Sequence, residues 1–108
     1  MSYSKVILEG FVGTVDEIKE YSEGKFLINL TMATQNRKNK EDPHWHQLVA
    51  FGKAAEFISK NIKKGDSIVA DGELVYEKFT PKGTDNEVKV AKIAVDSVQW
   101  SGRKVKSE

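Results

Sequence analysis

The chain has 108 residues, enough for one domain with a single hydrophobic core but not for two. Hydrophobic residues make up 39% of it and charged residues 31%, proportions typical of a soluble globular protein. No apolar run approaches the roughly 20 residues of a membrane-spanning helix, so we expect no membrane partner. The sequence contains no cysteine, which excludes disulfides, thiolate catalysis and cysteine metal sites. The absence of cysteine and an N-terminus that lacks a secretory signal favour an intracellular location.

The net charge gives no support for a polyanionic partner, because 17 basic and 16 acidic residues leave a sum of only +1. The basic residues are nevertheless clustered, and their distribution affects binding more than the sum does. An ordinary solvated surface explains any single cluster equally well. The three clusters are Arg37-Lys38-Lys40, Lys60-Lys63-Lys64 and Arg103-Lys104-Lys106.

The first part of the chain predicts two strands and a loop. Residues 5–15 alternate without helical spacing, and Gly10 and Gly13 within them indicate a bend or a bulge. A polar turn follows at residues 21–24. Residues 35–43 form a polar, basic loop without apolar periodicity. Between the turn and the loop, residues 25–34 predict a strand whose core face carries Phe26, Ile28, Leu30 and Met32.

The third predicted strand lies in the run of residues 44–53 and has an aromatic face. A tryptophan on a strand is more often a core residue than a ligand contact. Here Phe51 lies on the same face as Trp45, with the polar Gln47 between the two rings, and this argues against a simple core face. Two flat rings followed by Lys53 suggest a stacking platform beside a phosphate contact, which is the chemistry of single-stranded nucleic acid binding. Because side chains alternate across a strand, this face carries Trp45, Gln47, Val49 and Phe51.

One helix and two further strands follow. Apolar residues between positions 54 and 62 have the i, i+3, i+4, i+8 spacing of a short amphipathic helix, the only helix that we predict. Residues 67–79 alternate as a fourth strand, with Gly72 as a bend. Turn formers fill residues 80–86, and residues 87–100 alternate as a fifth strand. The last two strands therefore form a long hairpin.

Five strands with one short helix between the third and the fourth predict an all-β fold. This order is that of the OB-fold, a five-stranded Greek-key barrel whose ligand face lies on its second and third strands. The aromatic strand is the third. We found no repeat and no second-domain boundary, so residues 1–100 are assigned to one OB-fold domain and residues 101–108 to a short basic tail.

Several separated segments together resemble the bacterial-type single-stranded DNA-binding proteins. The resemblance spans about residues 5–98, and its most specific segment is similar to that family's W-H-[RK]-x-x-x-F-G-K pattern with a helix behind it. The segments are SKVILEG (residues 4–10), LTMAT (30–34), WHQLVAFGK (45–53), KGD (64–66) and DGEL (71–74).

The resemblance implies a homotetrameric barrel that coats single-stranded DNA, independently of base sequence and without a cofactor, in replication, recombination and repair. It implies that Trp45, Phe51 and Phe79 stack on bases, that Lys53 lies near the phosphates and that His46 contacts a neighbouring subunit. It also implies a protein of the cytoplasm of a bacterial cell or a phage-infected host, associated with the nucleoid.

Four further cations are candidate phosphate contacts. Arg37 and Lys38 occupy the loop where members of the family often have a tryptophan. They would either stack through a planar guanidinium or attract phosphate, and in the second case positive charge replaces one stacking site. Lys78 and Lys82 flank the candidate stacking residue Phe79 at the mouth of the predicted hairpin.

The sequence departs from the family at three places. Phe79 stands where a tryptophan is frequent, which keeps a ring but offers a base less area. Val75 and Glu77 stand where arginine is frequent, which puts phosphate contacts at these positions in doubt. The chain ends in basic residues rather than in the acidic tip through which bacterial relatives recruit other proteins. We therefore expect no recruitment through such a tail, and either a truncated sequence or a phage, plasmid or organelle origin.

Two kinds of chemistry find no support in the sequence. His44 and His46 would face one way on a strand like a zinc pair, but no cysteine supplies a third ligand, and Glu41 and Asp42 belong to an ordinary loop. We predict no metal site. No nucleophile elbow, phosphate loop, catalytic carboxylate pair or histidine triad can be assembled, so we predict no enzyme.

Two other functions of the same fold remain open. One is a protein-interaction module, such as a primosome accessory factor, that contacts single strands only to support partner recruitment. The other is a barrel that binds structured RNA or tRNA through the same face. Tyr3 and Trp100 lie at strand ends and are predicted to be packing or interface residues rather than members of the site.

Overall fold

The elements form in the predicted order, with one addition. The computed structural model describes residues 3–101, and the five predicted strands and the predicted helix are all present there. A short strand that the sequence did not predict precedes the second of them. The elements are β1 (Val6–Val15), β2 (Lys19–Ser22), β3 (Lys25–Thr34), β4 (His44–Phe51), α1 (Gly52–Asn61), β5 (Ser67–Phe79) and β6 (Val88–Trp100).

The sheet closes into a barrel because β1 pairs with two strands. Its first part runs antiparallel to β5, and its last part, from Phe11 to Val15, runs antiparallel to β3. The other neighbours follow the order β5-β6-β4-β3, and β2 is added beside β3 outside the ring. β4 and β6 are parallel. The predicted five-stranded OB-fold barrel, with its helix between the third and fourth strands of the ring, is therefore confirmed.

The predicted bends lie where the backbones of neighbouring strands approach each other closely. A Cβ on Gly10 would overlap the backbone oxygen of Ala33 and lie 3.1 Å from its carbonyl carbon, so β1 approaches β3 too closely there for a side chain. The register between β1 and β3 then shifts between Val12 and Val15. A second shift, between β5 and β6, falls beside Gly72. Such irregularities bend strands and allow a small barrel to close.

The core lies inside the ring and follows the alternation of the strands. The predicted core face of β3 is confirmed, because Ile28, Leu30 and Met32 are buried. α1 packs against β3, β4 and β6 with Ala55 and Ile58 buried. The other buried apolar residues in this cluster are Val12, Leu48, Ala50, Ile62, Ile68, Ala70, Ile93 and Val95.

Trp100 ties the end of β6 to the helix. Its ring meets that of Phe57 edge-on, with centroids 5.5 Å apart, and its Nε1 donates to the carboxylate of Asp66 at 3.4 Å. Asp66 is buried and also accepts a hydrogen bond from the backbone N–H of Lys63 at 2.9 Å. Trp100 thus packs against the domain, as predicted.

Only the first residue of the predicted tail falls within the described part of the chain. The backbone N–H of Ser101 donates to the carbonyl of Ser67 at 2.8 Å, so the strand pairing of the domain extends to this residue. Residues 102–108, which hold the rest of that tail, lie outside the described residues. No helix within residues 3–101 is long and apolar enough to cross a membrane.

Candidate nucleic-acid interface

The outer face of β4 exposes two aromatic rings. Trp45 is 60% exposed and Phe51 45% exposed, while Leu48 and Ala50 on the opposite face are buried in the core. Gln47 lies between the rings and is exposed too, whereas Val49 on the same face is buried. The aromatic face predicted from strand alternation is therefore present on the outside of the barrel. Large aromatic side chains gain by burial, so this exposure indicates a binding surface.

The ring of Trp45 lies against the backbone of β1. A Cβ on Gly13 would overlap the indole Cζ3, and it would lie 3.0 Å from Cη2 and 2.7 Å from Oγ1 of Thr31. That hydroxyl is itself fixed, because the backbone N–H of Thr14 donates to it at 3.0 Å. Lys64, at the turn after α1, lines the same surface pocket as Trp45. Sequence reasoning placed Lys64 only in a basic cluster and did not bring it to this ring.

Phe51 has an aromatic neighbour that sequence reasoning missed. The unpredicted strand β2 carries Tyr21, and the two rings meet edge-on, with centroids 5.9 Å apart and planes at 83°. Tyr21 is exposed like Phe51. The only signal for it in the sequence was an aromatic residue in an otherwise polar turn. Lys53 is exposed on the first turn of α1, two residues beyond Phe51.

Phe79 lies on the same outer face as the β4 rings. It pairs with Val88 across the β5–β6 hairpin, and Val75 pairs with Lys92 on that same face, because directly opposite residues of antiparallel strands point the same way. The parallel pairing of Leu48 with Ile93 then sets Lys92 beside Gln47 of β4. The structure thus brings Phe79, which is exposed, to the face of Trp45 and Phe51.

The other predicted cations lie on two separate segments, the β5–β6 hairpin and the loop before β4. Lys78 alternates to the opposite face of the hairpin from Phe79, so the structure does not bring these two neighbours together, and Lys82 is exposed in the turn beyond. Arg37 and Lys38 line a pocket that also includes His44, at the Trp45 end of β4.

Asn36 organises the basic loop. Its Oδ1 accepts the backbone N–H of Lys38 at 3.0 Å, and its Nδ2 donates to the carbonyl of Asp42 at 3.1 Å. The first bond is local, and the second links the start of the loop to its end, so the loop's cations are presented from a turn with internal hydrogen bonds.

His46 is half-buried and lies on the same side of β4 as the core residues Leu48 and Ala50. Its Nε2 lies 2.9 Å from Oγ1 of Thr34, and burial, together with the nearby His44, lowers the pKa of the imidazole below its ordinary value. Between residues 3 and 101, no group of three His, Asp or Glu side chains lies close enough together to hold a metal ion.

Comparisons with known proteins identify the family to which the chain is similar. A family model described as the single-strand binding protein family matches residues 3–101. Single-stranded DNA-binding protein 1 of Nostoc sp. (strain PCC 7120) is 31% identical over 104 residues, which cover 96% of this chain and 87% of that protein. The single-stranded DNA-binding protein of Anabaena variabilis matches with the same identity and coverage. Single-stranded DNA-binding protein 1 of Chlorobaculum tepidum is 29% identical over 107 residues, covering 94% of this chain and 66% of that protein.

Proposed function

The chain belongs to the single-strand binding protein family, and we propose that it binds single-stranded DNA independently of base sequence by combining aromatic stacking with phosphate contacts. The observation that carries this proposal is the exposure of Trp45 and Phe51 on one outer strand face. Every base has a π-face, so stacking tolerates any sequence, and in proteins of this class each stacked base contributes roughly 1–3 kcal/mol.

Each part of the interface has its own role in this proposal. Trp45 and Phe51 stack on bases at the centre, and Phe79 extends the row along the hairpin. Lys53 contacts phosphates at the Phe51 end and Lys64 at the Trp45 end. Arg37, Lys38 and Lys82 attract the backbone from the two flanking loops. Lys78 contributes least, because it points away from the stacking face.

Proteins of this family bind DNA without catalysing a reaction, and no cofactor takes part in stacking. We propose that the protein coats and protects single strands in the cytoplasm of a bacterial cell or phage-infected host, in association with the nucleoid. Replication, recombination and repair all expose such strands.

We also propose that the chain assembles as a homotetramer. β1 pairs with β5 from Val6 onward but with β3 only from Phe11, so among residues 3–101 the start of β1 has one edge without a strand partner. Ile7 on this segment is 65% exposed. An open edge with an apolar side chain favours pairing with another strand, and a second copy of β1 related by a two-fold axis fits it. Two such dimers then form the tetramer, with His46 at a subunit contact.

Tryptophan fluorescence tests DNA binding directly, provided that the reporter is Trp45 alone. Trp100 packs on Phe57, so Trp100→Phe removes the second fluorophore while keeping a ring there. This variant is titrated with dT homopolymer, RNA homopolymer and duplex DNA at two salt concentrations. We expect strong quenching by dT and little response to duplex. An equal response to duplex would overturn the proposal, and a preference for RNA would favour the RNA-binding alternative.

A further inference from the structure

On the premise of the proposed function, we propose that Lys92 is a phosphate-binding residue of the interface and that Glu77 occupies its phosphate position in the free protein. The Nζ of Lys92 lies 2.9 Å from Oε1 of Glu77. The Lys92 side chain is 18% exposed and that of Glu77 57% exposed. The cation is therefore partly enclosed in the protein surface, while the carboxylate covers it from the solvent side.

The ion pair lies between the stacking residues of β4 and those of the hairpin. Lys92 lines a surface pocket with Gln47 and Thr31, and both of these also line the pocket that contains Trp45. Glu77 is two residues from Phe79, on the same face of β5. A strand of DNA that stacks on both Trp45 and Phe79 crosses β6, the strand that carries Lys92.

A carboxylate and a phosphate oxygen compete for the same ammonium group. Both are anionic acceptors of charge-assisted hydrogen bonds, so only the one that is bound can use the Nζ fully. An ion pair with one exposed partner contributes little to stability, so a phosphate can displace it. After displacement the free carboxylate lies beside the DNA backbone and repels it. Glu77 thus weakens binding twice, by masking Lys92 and by repulsion.

Salt dependence separates the two effects. When DNA displaces Glu77 in the wild type, Lys92 exchanges one anion for another. The released carboxylate takes up a cation from solution. This uptake offsets the counterion that the phosphate releases. In Glu77→Gln, Lys92 is unpaired before binding. Its phosphate contact then adds to the salt slope, by about 0.7 for a single strand.

The experiment compares five variants with the wild type in titrations of dT homopolymer over a range of salt. They are Glu77→Gln, Lys92→Gln, the double variant, Lys92→Arg, and Asp16→Asn as a matched control. Asp16 lines the same pocket as Lys92 but is not its ion-pair partner, so Asp16→Asn removes one negative charge without releasing the lysine.

We expect Glu77→Gln to bind about three- to tenfold more tightly at low salt, with the steeper slope, and Lys92→Gln to bind more weakly than the wild type. In the Lys92→Gln background, Glu77→Gln should raise affinity no more than Asp16→Asn does, and Lys92→Arg should restore binding. An equal gain from Glu77→Gln with and without Lys92, or an unchanged salt slope, would show that Glu77 acts by repulsion alone and would overturn the assignment. If the wild type fails to bind dT, the proposed function itself is wrong, whatever the variants do.

Discussion

The indole ring of Trp45 occupies the space that a side chain at Gly13 would fill. The two residues lie on different strands, β4 and β1, and a Cβ on Gly13 would also lie 2.7 Å from the Thr31 hydroxyl, which is already hydrogen bonded. The position of the main stacking ring therefore depends on a residue that contributes no side chain.

Gly13→Ala should weaken DNA binding by moving Trp45 out of its place. Because the new methyl group overlaps the ring, we expect a loss of affinity approaching that of Trp45→Ala. A titration with dT homopolymer measures it. In a Trp45→Ala background, Gly13→Ala should cost much less affinity, since the ring that it displaces is absent and only the close contact with the Thr31 hydroxyl remains. An undiminished cost in that background would show that Gly13 acts on binding by another route.

Trp45→Ala and Phe51→Ala should each reduce affinity for dT by roughly 1–3 kcal/mol, or about 5- to 150-fold, because each removes a ring on which a base stacks. Fluorescence anisotropy of labelled dT measures both variants without relying on intrinsic tryptophan. Trp100→Phe, which leaves the interface intact, is the control and should bind like the wild type. Unchanged affinity in the double alanine variant would rule out this face as the platform.

The barrel could be predicted from the sequence because its core strands alternate clearly. Ile28, Leu30 and Met32 recur with period two, and the same alternation placed Trp45 and Phe51 outside the core. β2 could not be predicted in this way, since all four of its residues are exposed and carry no apolar period. It forms because it can pair with β3.

The parts of the interface that the sequence did not predict depend on contacts between segments that are far apart along the chain. Lys92 reaches the stacking face only through the parallel pairing of β6 with β4, and no local pattern encodes this register. Lys64 is brought to Trp45 by the turn after α1. The sequence showed these lysines as ordinary surface charges, and Glu77 only as a departure from a family pattern.

Tyr21→Ala should weaken binding by loosening Phe51. The edge-on contact between these rings orients Phe51, and such pairs are worth about 0.5–1.5 kcal/mol beyond the area that they bury. We therefore expect a two- to tenfold loss of affinity for dT. Tyr21→Phe retains the ring and is the matched control. A loss as large in Tyr21→Phe as in Tyr21→Ala would mean that the hydroxyl, rather than the ring contact, matters.

The free energy of unfolding should decrease as the pH falls below the ordinary pKa of His46. Folding lowers the pKa of this imidazole, so the unfolded state binds the proton more readily below the ordinary pKa of 6.5. Urea unfolding at about pH 7.5 and about pH 5.5 brackets that value. His46→Gln should lose part of the pH dependence, whereas His44→Gln should retain most of it, because the burial of His46, the larger cause of its lowered pKa, stays in place. An identical pH dependence in wild type and His46→Gln would contradict the prediction.

Ile7→Lys should disrupt self-association without disturbing the barrel. Ile7 lies on the outer face of β1, next to the strand edge that has no partner in the described part of the chain. A lysine there places like charges opposite each other across the two-fold axis of a β1–β1 contact. Native mass measurement should give four times the chain mass for the wild type and a smaller assembly for the variant. Ile7→Val keeps an apolar, β-branched side chain and should assemble like the wild type. A monomeric wild type would rule out the tetramer, and a variant that still forms four-chain assemblies would place the contact on another surface.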